Sequence, residues 1–254
     1  MLTGTYYFLK GLMLITKPGI RVWIIFPLLI NVLLFSILGY YIWLFFPVIL
    51  NTATISLPSL TWIFTIVRWI MLPLFIVFAM LTLSFIFMFV GNLISEPFNG
   101  ALSRAVEKHI TGHKVEVSSE PILRIIISFI GEKLEKLWYY FKWIILLLLI
   151  SFIPIINIIS PILWFLFAAW IAALEYADPV LANHGYSVPI QRKLLAKKPM
   201  LTLGFGSSIL IAMFIPIINF FVMPAAIAGA TCMWLQQFDE NKVELINKKL
   251  NVTK

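Results

Sequence analysis

The chain has 254 residues, of which 61% are hydrophobic and 12% charged, and its mean hydropathy is +0.99. An ordinary soluble domain is roughly 45–50% apolar and about 25% charged, so a soluble fold could not hide this much apolar surface. The formal net charge of +8 comes without a basic patch interleaved with aromatics, which argues against nucleic-acid binding; Lys and Arg flanking apolar stretches are what bilayer topology produces.

Residues 1–10 lack a basic region followed by an apolar stretch and a small-residue cleavage site, so no cleaved signal is expected. Four stretches then carry no Asp, Glu, Lys or Arg: 22–67, 69–95, 143–174 and 199–238. A helix needs about 20 apolar residues to cross a hydrocarbon core of about 30 Å. The stretches 22–46 and 62–90 meet that length and predict two spanning helices. Between them, 47–59 carries Asn51, Thr52, Thr54, Ser56, Pro58 and Ser59, the chemistry of an exposed turn. Arg68 lies near the start of the second span, where it can snorkel to the interface beside Trp62 and Trp69.

The region 95–142 reads as polar or amphipathic helical extensions of the membrane helices. Within it Glu132, Lys133, Glu135 and Lys136 cluster against Leu134, Leu137 and Trp138, with Glu132 and Lys136 at i,i+4, the pattern of a solvated or interfacial face. The last two uncharged stretches, 143–174 and 199–238, are each broken by the same run, Ile153-Pro154-Ile155-Ile156-Asn157 and Ile215-Pro216-Ile217-Ile218-Asn219. A second proline (Pro161, Pro224) and a tryptophan (Trp170, Trp234) follow in each, at an offset of about 62 to 64 residues. Divided at the break and the second proline, each arm keeps only about 10 to 17 uncharged residues, short of the roughly 20 of a full crossing, which predicts partly penetrating hairpins whose turns face protein or a wet cavity.

The predicted fold is therefore an all-α integral membrane protein, one domain over residues 1–254. It has two long transmembrane helices (22–46, 62–90), two Pro/Asn-broken hairpins (143–174, 199–238) and amphipathic helical extensions. If the spans cross and both hairpins return to their own side, nearly all basic segments share one face, which the positive-inside rule makes cytoplasmic.

For chemistry, Lys17-Pro18-Gly19-Ile20-Arg21 sits where an N-terminal helix gives way to the first span. A turn there, the free backbone N–H groups of a helix start and two cationic side chains make an anion site, suited to sulfate or phosphate. Anchoring to lipid phosphates is the plainer reading of a two-charge turn. Arg104, Glu107 and Lys108 follow at helical spacing and point to an ion network or a surface salt bridge. Asn31, Asn92, Asn157 and Asn219 are amides at membrane depth, suited to interhelical hydrogen bonds or to lining a passage. His109 and His113 have the i,i+4 spacing of a two-histidine metal site, but Gly112 interrupts them and no third ligand is near, so no metal is expected. Cys232 is the single cysteine, which excludes an internal disulfide. His184 sits in a turn. Glu175 and Asp178 stand beside Pro179 in what reads as a loop without a partner, and no hydrolase, zincin or P-loop motif is present. Neither an enzyme nor a cofactor is expected.

Several blocks in order resemble one family, the CysZ-type bacterial sulfate permeases. They are Lys17-Pro18-Gly19-Ile20-Arg21 with Pro27-Leu28-Leu29-Ile30-Asn31; Pro97-Phe98-Asn99-Gly100; Glu175-Tyr176-Ala177-Asp178-Pro179 with Asn183-His184-Gly185; Gly204-Phe205-Gly206; and Met223-Pro224 through Thr231. The resemblance implies a multi-pass inner-membrane protein that takes up sulfate for cysteine synthesis and forms homo-oligomers built from dimers. It also implies a sulfate-binding turn of Gly19, Ile20 and Arg21, with Val22 where the family pattern has a second arginine and Lys17 as the substitute charge. Asn31, Asn92, Arg104 and Glu107 are candidates for lining the passage. A non-transporting membrane scaffold that binds anionic lipid is the competing expectation.

Overall fold

The computed structural model describes residues 2–25, 29, 32–33, 36–37, 39–41, 43–44, 74, 77, 97–113, 122–154 and 156–238. Residues 1–24 and 99–254 fall in one compact unit and 25–98 in another. The described residues are helical or lie in turns, with no strand among them. This is an all-α membrane protein. Those described within 22–46 and 62–90 are helical; the rest of both predicted spans, the 47–59 turn and Arg68 lie outside the described residues.

The helices are α1 (Leu2–Leu14), α2 (97–111), α3 (Ile122–Ser151), α4 (Ser160–Asn183), α5 (Val188–Ala196), α6 (Pro199–Met213) and α7 (Pro216–Gln237). Prolines start four of them for one reason. At the first positions of a helix the amide has no intrahelical acceptor, so its loss is harmless and the ring pre-sets φ. Proline lies in the first two positions of α4, α5, α6 and α7.

α7 is the centre of the unit. Residues 225 to 235 are buried without a break, and α1 packs against α7 and α6 while α4 packs against α6 and α7. The run Ala225, Ala226, Ala228, Gly229, Ala230 lets backbones approach closely, which is how helices associate in a membrane where lipid offers as apolar an environment as Leu. Phe205 and Ile209 of α6, Ala173 and Leu174 of α4, and Tyr7 and Phe8 of α1 complete the core. At Gly206 the approach is so close that a side-chain carbon would overlap the Ala169 carbonyl of α4.

The structure revises the arm lengths. α4 continues past the first charge through Glu175 and Asp178, and α7 starts at Pro216 and runs through Pro224 rather than beginning there; α4 has 24 residues and α7 has 22, and both are long and apolar enough to cross a membrane. Glu175 and Asp178, expected in a loop, lie inside α4, because Pro179 does not terminate it. The repeated motif also diverges. In the first hairpin Ile156–Ile158 form a 3-10 turn, whereas in the second Pro216 opens α7 directly; the asparagine amide makes the same bond in both, Asn157 to the Ile153 carbonyl at 2.9 Å and Asn219 to the Ile215 carbonyl at 2.8 Å.

Candidate functional site

The turn after α1 is built by its own backbone. The amides of Ile20 and Arg21 donate to the Lys17 carbonyl at 3.2 and 3.3 Å, and those of Trp23 and Ile24 start the next helix by donating to Ile20 and Arg21 at 3.1 Å. Gly19 has φ +85°, a left-handed conformation that a Cβ would strain, and nothing lies within 4 Å of where that Cβ would be. Ile20 is 1% exposed and pins the turn to the core. Its amide is committed to Lys17, so on this turn Ile20 acts as an anchor while Gly19 presents open backbone. Lys17 and Arg21 are exposed.

Facing the turn is one side of α2. A cleft of about 500 Å³ is lined by Pro18, Gly19, Ile20 and Trp23 on one wall and by Ala101, Arg104, Ala105, Lys108 and His109 on the other. The second wall is a helix face with the i,i+3/i+4 recurrence 101, 104/105, 108/109. Arg104 is held from behind: its Nη1 donates to Asn183 Oδ1 at 2.8 Å, and Asn183 Nδ2 donates to the Gly100 carbonyl at 2.9 Å. Burial pulls the Arg104 guanidinium below its ordinary pKa, yet a guanidinium keeps its charge.

The structure separates residues that spacing had grouped. Glu107 turns away from the cleft, is buried, and meets His184 Nε2 at 2.9 Å; the His184 ring lies over Trp234 with centroids 4.1 Å apart. Lys17 and Arg21 stand on the turn outside the cleft lining. Asn31 and Asn92 lie outside the described residues. Lys108, His109 and Trp23 join the lining although only the i,i+4 spacing of Arg104 and Lys108 pointed to one of them. His113 turns to Thr111, its amide donating to Oγ1 at 3.2 Å, and no His/Cys/Asp/Glu group suited to a metal exists among the described residues.

A second polar cluster corrects the reading of 132–138 as a solvated or interfacial face at one residue, Lys136; Leu134, Glu135, Leu137 and Trp138 are exposed. Lys136 is 3% exposed and bridges Asp178 at 2.8 Å and Glu175 at 3.3 Å, while Tyr140 donates to Glu175. Gln191 Nε2 donates to Asp178 at 2.8 Å, and Arg192 reaches Glu135 at 3.2 Å and covers the Tyr139 ring. Burial opposes the Lys136 charge, but Asp178 and Glu175 outweigh it and the net shift is upward. Burial and the neighbouring Glu175 raise Tyr140 as well.

With both sites drawn, comparison with known proteins decides the family. A family model described as "Sulfate transporter CysZ/Etoposide-induced protein 2.4" matches residues 7–224. The chain belongs to this family. It is similar to "Sulfate transporter CysZ" of Pseudomonas aeruginosa (strain LESB58), at 34% identity over 241 residues, 94% of this chain and 97% of that one. The protein of the same name from Pseudomonas syringae pv. tomato is 35% identical over 238 residues, covering 93% of each chain. That of Pectobacterium atrosepticum is 33% identical over 239, covering 93% of this chain and 86% of its own.

The blocks that carried the resemblance do distinct structural jobs in this family member. Asn183-His184-Gly185 caps α4 and reaches α2 through Arg104 and Glu107. Thr231, in the small-residue block of α7, meets Ser103 of α2 at 3.1 Å. Three contacts thus position the α2 wall of the cleft.

Proposed function

We propose that this protein takes up sulfate across the bacterial inner membrane, as a multi-pass permease or channel-like transporter that passes the ion on chemically unchanged and supplies cysteine synthesis. Family membership supports the class of activity. The observation that carries the site is the cleft between the Pro18–Ile20 turn and the cationic face of α2. Sulfate is a dianion whose oxygens need several donors converging at once. Exposed Arg21 and Lys17 collect the ion at the turn; Gly19 lets it approach the backbone, with Ile20 pinning the turn in place; Arg104 offers a fork whose orientation Asn183 fixes. Asn31 and Asn92, outside the described residues, are candidates for lining the passage. Glu107 contributes through His184, holding α2 rather than touching an anion, since a buried carboxylate facing sulfate would repel it.

Lipids cover the exposed apolar faces, and the working unit is a homo-oligomer built from dimers. The test is radiolabelled sulfate uptake into proteoliposomes. The wild-type protein shows saturable uptake, and Arg21→Ala lowers it about tenfold, the effect of losing a hydrogen bond to a charged group of about 1.5–3 kcal/mol. Uptake equal to that of empty liposomes, with insertion confirmed, would move the reading to the anionic-lipid scaffold.

A further inference from the structure

The cleft's two walls are chemically unequal. The turn wall offers Pro18, Gly19, Ile20 and Trp23, none of them charged, whereas the α2 wall presents Arg104 and Lys108 one helical turn apart, with His109 beside them. Among the described residues, no carboxylate lines the space. Four carboxylates among the described residues are committed elsewhere: Glu107 to His184, Glu135 to Arg192, Glu175 and Asp178 to Lys136. Arg104 has a fixed partner in Asn183; Lys108 is exposed, and its ammonium has no ion-pair or hydrogen-bond partner among the described residues.

Like charges at i,i+4 on a helix repel, and nothing in the wall's own chemistry offsets that repulsion. An anion held between them does. We propose that Lys108 is the residue that makes this cleft prefer a doubly charged oxyanion to a singly charged one, an inference that rests on the sulfate reading of the same site. The division of labour follows from geometry and from the two side chains. Arg104, oriented by Asn183, presents a planar fork that suits any oxyanion edge, singly or doubly charged. Lys108 is a compact point charge on a flexible stem. A cleft of about 500 Å³ is far larger than one tetrahedral ion, so the anion enters with part of its water and shape complementarity discriminates weakly. Coulomb attraction scales with the product of the charges. A second cation at the rim therefore attracts a dianion twice as strongly as a monoanion at the same distance.

The experiment compares wild-type protein with Lys108→Gln and Lys108→Arg in proteoliposomes. It measures the KM for radiolabelled sulfate and the nitrate concentration that halves uptake, with size-exclusion profiles confirming the fold. Lys108→Gln is expected to raise the sulfate KM about tenfold while the intrinsic inhibition constant for nitrate moves much less, and Lys108→Arg restores the sulfate value. An unchanged sulfate KM in Lys108→Gln, or an equal shift for sulfate and nitrate, would overturn the proposal. If wild-type and Arg21→Ala behave as expected while Lys108→Gln resembles wild type, the selectivity role alone fails. If wild-type protein takes up no sulfate, the functional reading fails and takes this inference with it.

Discussion

The two hairpins begin from one sequence pattern and end in different physical situations. In the second, α6 and α7 pack with α1 and α4, and Phe205, Ile209 and residues 225 to 235 are buried. In the first, α4 is half embedded in that core but α3 stands apart: apart from Leu147, every residue from 141 to 149 is exposed. An exposed apolar face of this kind carries no penalty against lipid. Polar contacts tie α3 to α4: the cluster of Lys136 and Tyr140 with Glu175 and Asp178, the Trp170 indole donating to the Tyr139 hydroxyl at 3.1 Å, and, at the hairpin end, Ser151 meeting Ser160 and accepting from the Trp164 indole. An apolar stripe alone does not say whether a membrane helix meets protein or lipid; small residues at the contact or a buried ion cluster decide it.

Four perturbations test that contrast. The largest effect is expected from Phe205→Ala, which empties the centre of the second hairpin and costs about 3–5 kcal/mol, read as a fall in thermal stability in detergent. Lys136→Met leaves two carboxylates without their cation. It is expected to cost about 3 kcal/mol, at the low end for a broken buried pair, because Glu175 keeps 36% exposure and solvent screens it. Hydrogen exchange should rise in α3 and in the Glu175–Asn183 end of α4 but not in α6 or α7. Equal loosening of both hairpins would show that the cluster is not what separates them.

Gly206→Ala forces α4 and α6 apart at Ala169 and is expected to cost about 1–3 kcal/mol, with the effect confined to the α4/α6 contact. The smallest response is to pH. Lys136 is raised above its ordinary 10.5 and Tyr140 above its ordinary 10.0. Their contribution is complete below those values and is lost as pH rises through the higher folded ones. Protection of α3 should be flat between about pH 6 and 9 and decline in stronger alkali, earlier than that of α7. A decline near neutrality would break the assignment.

Much of the architecture was legible in residue order. The uncharged runs and the repeated Ile-Pro-Ile-Ile-Asn mark helices and breaks because proline removes a donor and bilayer length is fixed. The Lys17 to Arg21 turn was legible as a turn carrying two exposed cations, because proline, glycine and a helix start coincide there. The limits of α4 were not, since charge ends a hydrophobic stretch without ending a helix: Glu175 and Asp178 lie within α4 and share the Lys136 ammonium, thirty-nine residues from Glu175, with hydrogen bonds from Tyr140 and Gln191. Ile20 read as a donor and serves as an anchor, and only packing reveals that.

Sequence by itself determined that this protein belongs in a membrane, that it is helical and where its cationic turn lies. These follow from composition, periodicity and local backbone preference. Tertiary structure decided the partners. Helical spacing placed Arg104, Glu107 and Lys108 together, yet Arg104 and Lys108 look into the cleft while Glu107 turns to His184. Which way a helix face points is set by the elements packed behind it, Asn183, His184 and Thr231, and no local pattern in residues 97–111 contains that information.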